Sequence, residues 1–136
     1  DRLAQLSPFI YRGQPPPLLN ITRARIDPSI DCIPEGTFMD CEQLTDVEVH
    51  ERLRRIDTRA FRQCTSLAGF NLKPLSTIGS MSFANCTSLC DIEFGDKLET
   101  INCSAFANCT SIRRIKIPTV TTIEFNVFSR CRNLTD

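Results

Sequence analysis

The chain has 136 residues, of which 16 are basic and 16 acidic, and 41% of all residues are hydrophobic. This length fits one domain or one portion of a repeat array, and the hydrophobic fraction is enough to fill a core. A formal net charge of zero argues against general affinity for nucleic acid or anionic lipid. No apolar run reaches the roughly 18–20 residues of a membrane span. No targeting signal is visible and the sequence does not begin with Met, so we expect the true N-terminus to lie upstream.

Residues 1–20 are predicted to form an irregular segment. Three consecutive prolines at 15–17 exclude a helix there, because proline has no amide hydrogen and a fixed φ angle. We expect this segment to cap the first repeat of the region that follows, with Phe9, Ile10 and Leu18 as its apolar anchors.

From residue 21 onward the sequence repeats itself every 22 or 23 residues, in seven apolar columns. Two of the columns are nearly free of substitution and provide the expected structural core: Phe38, Phe61, Phe83, Phe106 and Phe128, and Cys41, Cys64, Cys86, Cys109 and Cys131. A unit this short cannot bury its apolar side alone, so successive units must stack into a solenoid with one continuous interior. We expect a repeat array over 21–136, with a partial unit at 21–29, four to five units after it, and a C-terminus that falls within a repeat.

Each unit contains a strand, a loop and a turn. Two apolar residues separated by one, as in Phe70-Asn71-Leu72, predict a short strand with both apolar side chains inward. One-residue length changes occur only after this strand, which indicates a surface loop. Phe61 and Cys64, at positions i and i+3, predict a helical or 3₁₀ turn. The sequence thus predicts an α/β solenoid with short parallel strands on its concave face and these turns on its convex face.

The unit resembles the BspA-type leucine-rich repeat, which reads Leu-x-x-Ile-x-Ile-Pro followed by Ile-Gly-x-x-Ala-Phe-x-x-Cys. Residues 112–118 read Ile-Arg-Arg-Ile-Lys-Ile-Pro, and residues 101–109 read Ile-Asn-Cys-Ser-Ala-Phe-Ala-Asn-Cys. The resemblance covers about residues 27–136. It implies the leucine-rich repeat fold and a role as an adhesive or interaction module, as in bacterial surface proteins and protist proteins such as those of diatoms. It transfers no catalytic residue.

Little in the sequence points to chemistry. The five column cysteines are expected to form a buried, reduced ladder, because stacked residues with parallel Cβ vectors are spaced too widely for a relaxed disulfide. His50 is the only histidine and no Cys-x-x-Cys occurs, so we expect no metal site. A Gly-rich phosphate loop is also missing, and we predict that the chain is not an enzyme and holds no cofactor.

Five Asn-x-Ser/Thr motifs begin at residues 20, 85, 102, 108 and 133. Two of them, at Asn85 and Asn108, follow from the repeated Asn-Cys-Thr-Ser, where the middle residue is an interior cysteine. The sequence therefore favours by-products of the repeat over glycosylation sites.

The outward positions of the predicted strands are the candidate binding residues. They are Asp46, Glu48, Asn71, Asp91, Glu93, Arg114 and Lys116. Their charge changes from acidic to basic along the array, which a protein partner of mixed charge could recognise. The alternative for this surface is a solvated sheet without a ligand.

Two functions follow from this reasoning. The first is a non-catalytic protein-interaction or adhesion module that uses the concave sheet. The second is a scaffold subunit of a larger assembly, contacting its neighbours through the convex side or the open repeat end. The arginines between residues 52 and 62 could dock an acidic partner in that case, although such a run is more often solvated.

Overall fold

The computed structural model describes residues 7–119 and 121–135. Within them the chain forms ten short strands. They are β1 (Phe9–Tyr11), β2 (Arg23–Ile26), β3 (Cys32–Ile33), β4 (Asp46–Glu48), β5 (Arg55–Ile56), β6 (Gly69–Leu72), β7 (Thr77–Ile78), β8 (Asp91–Phe94), β9 (Thr100–Ile101) and β10 (Thr122–Ile123).

Among the described residues, four coils contribute both a longer and a two-residue strand, and every strand pair between coils is parallel. The longer strands form two sheets, β1-β2-β4 and β6-β8, while the two-residue strands form one sheet in the order β10-β9-β7-β5-β3. The register follows the sequence period, since Ala24 lies opposite Val47 and Phe70 opposite Ile92. The short strands were not foreseen from the sequence, because two residues show no alternation.

A stack of phenylalanine rings runs through the interior. The ring centroids of Phe38 and Phe61 are 5.0 Å apart, and those of Phe61 and Phe83 are 5.3 Å apart, with the rings nearly parallel. Phe83 and Phe106 continue the stack at 5.3 Å. These four rings are fully buried, whereas Phe128 is partly buried. Stacking of this kind adds to the free energy that burial of each ring provides.

The predicted helical or 3₁₀ turns are wrong, because the described residues contain no helix. Two residues in each turn have a positive φ angle, and their conformation interrupts any helix. The first column consists of Gly36, Arg59, Met81, Ser104 and Asn126, and the second of Asp40, Gln63, Asn85, Asn108 and Arg130.

The turns instead hydrogen-bond from coil to coil. The Phe61 N–H donates to Ser82 O at 2.7 Å, and the Phe83 N–H donates to Ala105 O at 2.8 Å. In a helix these N–H groups would point along the segment and bond within it. Here they point along the solenoid axis, so the successive turns form a hydrogen-bonded ladder in addition to the three sheets.

Part of the N-terminal segment is ordered as a strand. Within the region predicted to be irregular, β1 pairs with β2 and places Tyr11 opposite Ile26, where it is buried. The ring of Tyr11 lies 5.8 Å from that of Phe38 and covers the end of the stack. Leu18, an expected anchor, is 64% exposed, because β1 already occupies the space against the first coil.

The opposite end also differs from the prediction. Ile115 and Ile117 keep the expected alternation and are partly buried, but residues 112–118 form no strand. An edge segment has one hydrogen-bonded neighbour at most, and Pro118 has no N–H to donate. Ile123, a member of an inward column, is 45% exposed because no further described coil packs against it.

Candidate functional site: the long-strand face

The long-strand face is the outward surface of β2, β4, β6, β8 and residues 112–118, and it includes the outward positions of the predicted strands. Val47 in β4 and Phe70 in β6 are buried, so the alternating side chains of these strands point away from the core. All seven predicted binding residues are exposed on this face: Asp46, Glu48, Asn71, Asp91, Glu93, Arg114 and Lys116.

Strand register and the repeat period arrange the outward side chains in two rows. The first row is Arg23, Asp46, Gly69, Asp91 and Arg114, and the second is Arg25, Glu48, Asn71, Glu93 and Lys116. Both rows have the same order of charge: a basic residue at each end, an uncharged residue in the middle, and an acidic residue on each side of the middle. Sequence reasoning omitted Arg23 and Arg25, although counting one period back from Asp46 and Glu48 would have found them.

A groove of about 570 Å³ lies in the middle of this face. It follows the junction between β4 and β6, which are neighbours but belong to separate sheets. Gly69 contributes no side chain to its row, the Asp91 side chain lies close beside it, and Asp46 and Asp91 both line the groove. Asn71 and Glu93 of the second row line the same groove.

Two exposed ion pairs flank the groove. Arg25 Nε lies 2.9 Å from Glu48 Oε2, and Lys73 Nζ lies 3.4 Å from Glu93 Oε2. Exposed pairs of this kind contribute only about 0–1 kcal/mol to stability. Loss of either pair would therefore change the stability of the fold little.

The five column thiols lie in the core and away from this face. Each thiol after the first donates to the phenylalanine carbonyl of the preceding coil, as Cys86 Sγ does to Phe61 O at 3.2 Å. The other three such contacts measure 3.1 to 3.2 Å: Cys64 to Phe38 O, Cys109 to Phe83 O and Cys131 to Phe106 O. This contact explains the preference for cysteine, since a small apolar residue would fill the space without supplying a donor.

Burial raises the thiol pKa throughout this column. It raises the pKa of Cys41 to about 11 and keeps the pKa of Cys86 well above its ordinary value. A protonated, inaccessible thiol is a poor nucleophile and a poor metal ligand. These cysteines are therefore suited to packing and not to covalent catalysis.

A comparison of the sequence with models of protein families identifies the repeat. Six copies of the BspA type leucine rich repeat region match residues 18–135. The chain belongs to the BspA-type leucine-rich repeat family. This confirms the resemblance that the sequence showed, and the match begins before residue 27.

Solved leucine-rich repeat structures share the fold. A leucine-rich repeat protein from Bacteroides ovatus is 32% identical, with a TM-score of 0.68 over 74% of this chain and 26% of its own. A leucine rich cell surface protein from Faecalibacterium prausnitzii is 26% identical, with a TM-score of 0.73 over 85% of this chain and 32% of its own. The pneumococcal vaccine antigen PcpA is 25% identical, with a TM-score of 0.72 over 80% of this chain and 28% of its own. The chain thus spans about a quarter to a third of these three proteins. A search of curated protein sequences gave no match.

The BspA-type repeat of this chain carries an amide ladder that sequence reasoning missed. Asn85 Nδ2 donates to Gln63 Oε1 at 3.1 Å, and Asn108 Nδ2 donates to Asn85 Oδ1 at 2.9 Å. All three residues have left-handed backbones, which asparagine tolerates better than most residues. The sequence did contain a signal for this column of amides, because asparagine precedes the column cysteine at both Asn85 and Asn108.

His50 is a structural residue of a leucine-rich repeat loop. Its Nε2 lies 2.7 Å from Ile30 O, and its Nδ1 accepts the Arg52 N–H at 3.1 Å. Both ring nitrogens are therefore engaged in holding the loop. Within residues 7–119 and 121–135, no three His, Cys, Asp or Glu side chains cluster closely enough to hold a metal ion.

The basic run after His50 is partly neutralised by Asp57 of the same coil, and Arg52 contacts the preceding coil. Arg55 Nε lies 3.0 Å from Asp57 Oδ1, and Arg52 Nη2 donates to Pro28 O at 3.2 Å.

Across the part of the chain that the structure describes, no helix is both long and apolar enough to span a bilayer.

Proposed function

We propose that this leucine-rich repeat chain is a protein-interaction or adhesion module that binds its partner on the long-strand face. The observation that carries the proposal is the groove at the β4–β6 junction, where Gly69 separates Asp46 from Asp91. A groove of this shape with carboxylates on both sides fits a lysine or arginine side chain of the partner.

The surroundings of the groove extend this recognition. Acidic groups flank the centre of the face, and basic groups lie at both of its ends. A partner segment that crosses the strands would meet each type of charge in turn, and complementary charge increases both the association rate and the specificity of protein binding. Exposed side chains can vary without loss of stability, whereas the inward columns must remain apolar.

The related structures support an interaction role. One is named as a cell surface protein and another as a vaccine antigen. Both share the stacked-coil fold of this chain over the matched part, and such a fold presents an extended sheet surface on a rigid core. For the present chain this argues for recognition of another macromolecule over catalysis.

Charge reversal on the long-strand face is the test. We expect Asp91→Lys combined with Glu93→Lys to weaken binding of a partner captured from the native source by at least tenfold. The new charges would repel a cationic partner, and the second of them would also repel Lys73, which now pairs with Glu93. The Kd would be measured by surface plasmon resonance at two salt concentrations, because screening should reduce the difference.

Arg59→Glu is the matched control, because it reverses a charge on a turn and not on the long-strand face. The proposal requires this variant to bind as the wild type does. If Arg59→Glu abolishes binding while the double variant retains it, the chain is a scaffold that contacts its neighbours through the turns. Circular dichroism on both variants would confirm that the fold is unchanged.

A further inference from the structure

The long-strand side of the solenoid is hydrogen-bonded at some boundaries between coils and open at others. The Thr45 N–H donates to Thr22 O of the preceding coil at 2.8 Å. The Cys90 N–H donates to Ala68 O in the same way at 2.9 Å. Ala68 occupies the equivalent position between these two, yet among the described residues its N–H makes no such bond to Thr45 O. The boundary between the coils of β4 and β6 is therefore open on this side.

The other two sides of the same boundary are closed. The short strands β5 and β7 pair across it, and the Ser76 N–H donates to Arg54 O at 2.8 Å. In the turns, the Phe61 N–H donates to Ser82 O at 2.7 Å. The two coils are thus joined along two lines and free along the third, which is the arrangement that a hinge requires.

The interior contact at this boundary is apolar. The ring of Phe70 meets the edges of Phe61 and Phe83 at 5.1 Å each, and these two rings belong to the coils on either side of the boundary. Val47, which occupies the position of Phe70 in β4, is buried as well. Apolar contacts lack the directional requirement of hydrogen bonds, so they tolerate a change of angle that would break a ladder.

A second boundary is built in the same way. Residues 112–118 form no strand, and within the described part of the chain Arg113 donates no backbone bond to Cys90 O. The short strands β9 and β10 nevertheless pair across this boundary, and the Phe106 N–H donates to Val127 O at 2.9 Å. Both open boundaries lie on the long-strand side, and the other two ladders continue past each of them.

We propose that the solenoid is jointed on its long-strand side, with the junction of β4 and β6 as a hinge between two blocks. The blocks are the coils joined by the ladder β1-β2-β4 and those joined by the ladder β6-β8. They rock about the turns and short strands, and this motion widens or narrows the groove along the junction. No ladder has to break, because none joins β4 to β6. The hinge belongs to the fold and does not depend on the function proposed for the groove.

Amide hydrogen exchange followed by NMR is the first test. Ala68, Thr45 and Cys90 are all exposed residues at one repeat position, so their protection factors can be compared directly. We expect the protection factor of the Ala68 N–H to be lower than that of Thr45 and Cys90 by roughly tenfold or more. The Ser76 N–H, which closes the same boundary on the short-strand side, should be protected as Cys90 is.

Electron paramagnetic resonance with two spin labels measures the motion itself. One label pair, Glu48→Cys with Asn71→Cys, spans the open junction, and the matched pair, Asn71→Cys with Glu93→Cys, spans the β6-β8 ladder. Both pairs use exposed positions of one row. The native cysteines that are not buried would first be replaced, as Cys32→Ser, Cys90→Ser and Cys103→Ser.

The distance distribution across the open junction should be clearly broader than the distribution across the ladder. Equally narrow distributions for the two label pairs would overturn the hinge, and so would an Ala68 N–H as protected as that of Cys90. A thermal melt of each labelled chain would show that both variants keep the fold, so that the difference in width reports the junction alone.

Discussion

Replacing Phe83 by alanine should lower the free energy of unfolding by about 3–5 kcal/mol, the usual cost of deleting a buried phenylalanine ring. Phe83 is fully buried and stacks on Phe61 and Phe106, each at 5.3 Å, and Phe70 meets its edge at 5.1 Å. The neighbouring coils are held to one another by hydrogen bonds between their turns, which limits how far they can collapse into the space. Urea denaturation followed by circular dichroism would measure the change.

Phe128→Ala provides the matched control for this variant. Phe128 is only partly buried and has a single stacking neighbour, Phe106, at 5.7 Å. Because Phe128→Ala removes fewer contacts, it should lower the free energy of unfolding clearly less than Phe83→Ala does. Equal losses in the two variants would contradict a continuous stack in which inner rings contribute more than terminal rings.

Raising the pH above 9 should destabilise the chain through its thiol column. Burial holds the pKa of Cys64, Cys86 and Cys109 above the ordinary value of 9.0, so these thiols stay protonated in the folded state. The unfolded chain releases the same protons near pH 9, and therefore binds fewer protons than the folded chain at higher pH. The resulting stability is complete below pH 9 and is lost progressively as the pH rises towards the folded values.

The expected size of this effect is about 1.4 kcal/mol per pH unit for each thiol that is ionised only when unfolded. Urea titrations at intervals between pH 7.5 and 10.5, in the presence of a reductant, would give the slope. Cys86→Ala should be less stable than the wild type at pH 7.5. Its free energy of unfolding should fall less steeply with rising pH, and the difference in slope should equal the contribution of one thiol. An unchanged slope in this variant would show that other groups control the alkaline transition.

The sequence by itself determined the solenoid, its period and the chemical character of its interior. Seven columns in one register can all be buried only if the units stack, so the Phe and Cys columns predicted the core before any coordinates. Inward and outward positions of the strands followed from the same alternation, and this was enough to identify Asp46, Asp91 and the other exposed candidates. Periodicity is informative here because every unit must satisfy the same packing constraints.

The tertiary structure alone decided how the turns are built and what the surface contains. The spacing of Phe61 and Cys64 suits a helical turn as well as the observed one, and only hydrogen bonds to adjacent coils select the left-handed residues at 59 and 63. The groove at Gly69 depends on which strands are neighbours but not joined in a ladder, which no local pattern encodes. Contacts between residues about 22 positions apart are made by the stack and not by the local sequence, and for this reason they remained hidden until the coils were assembled.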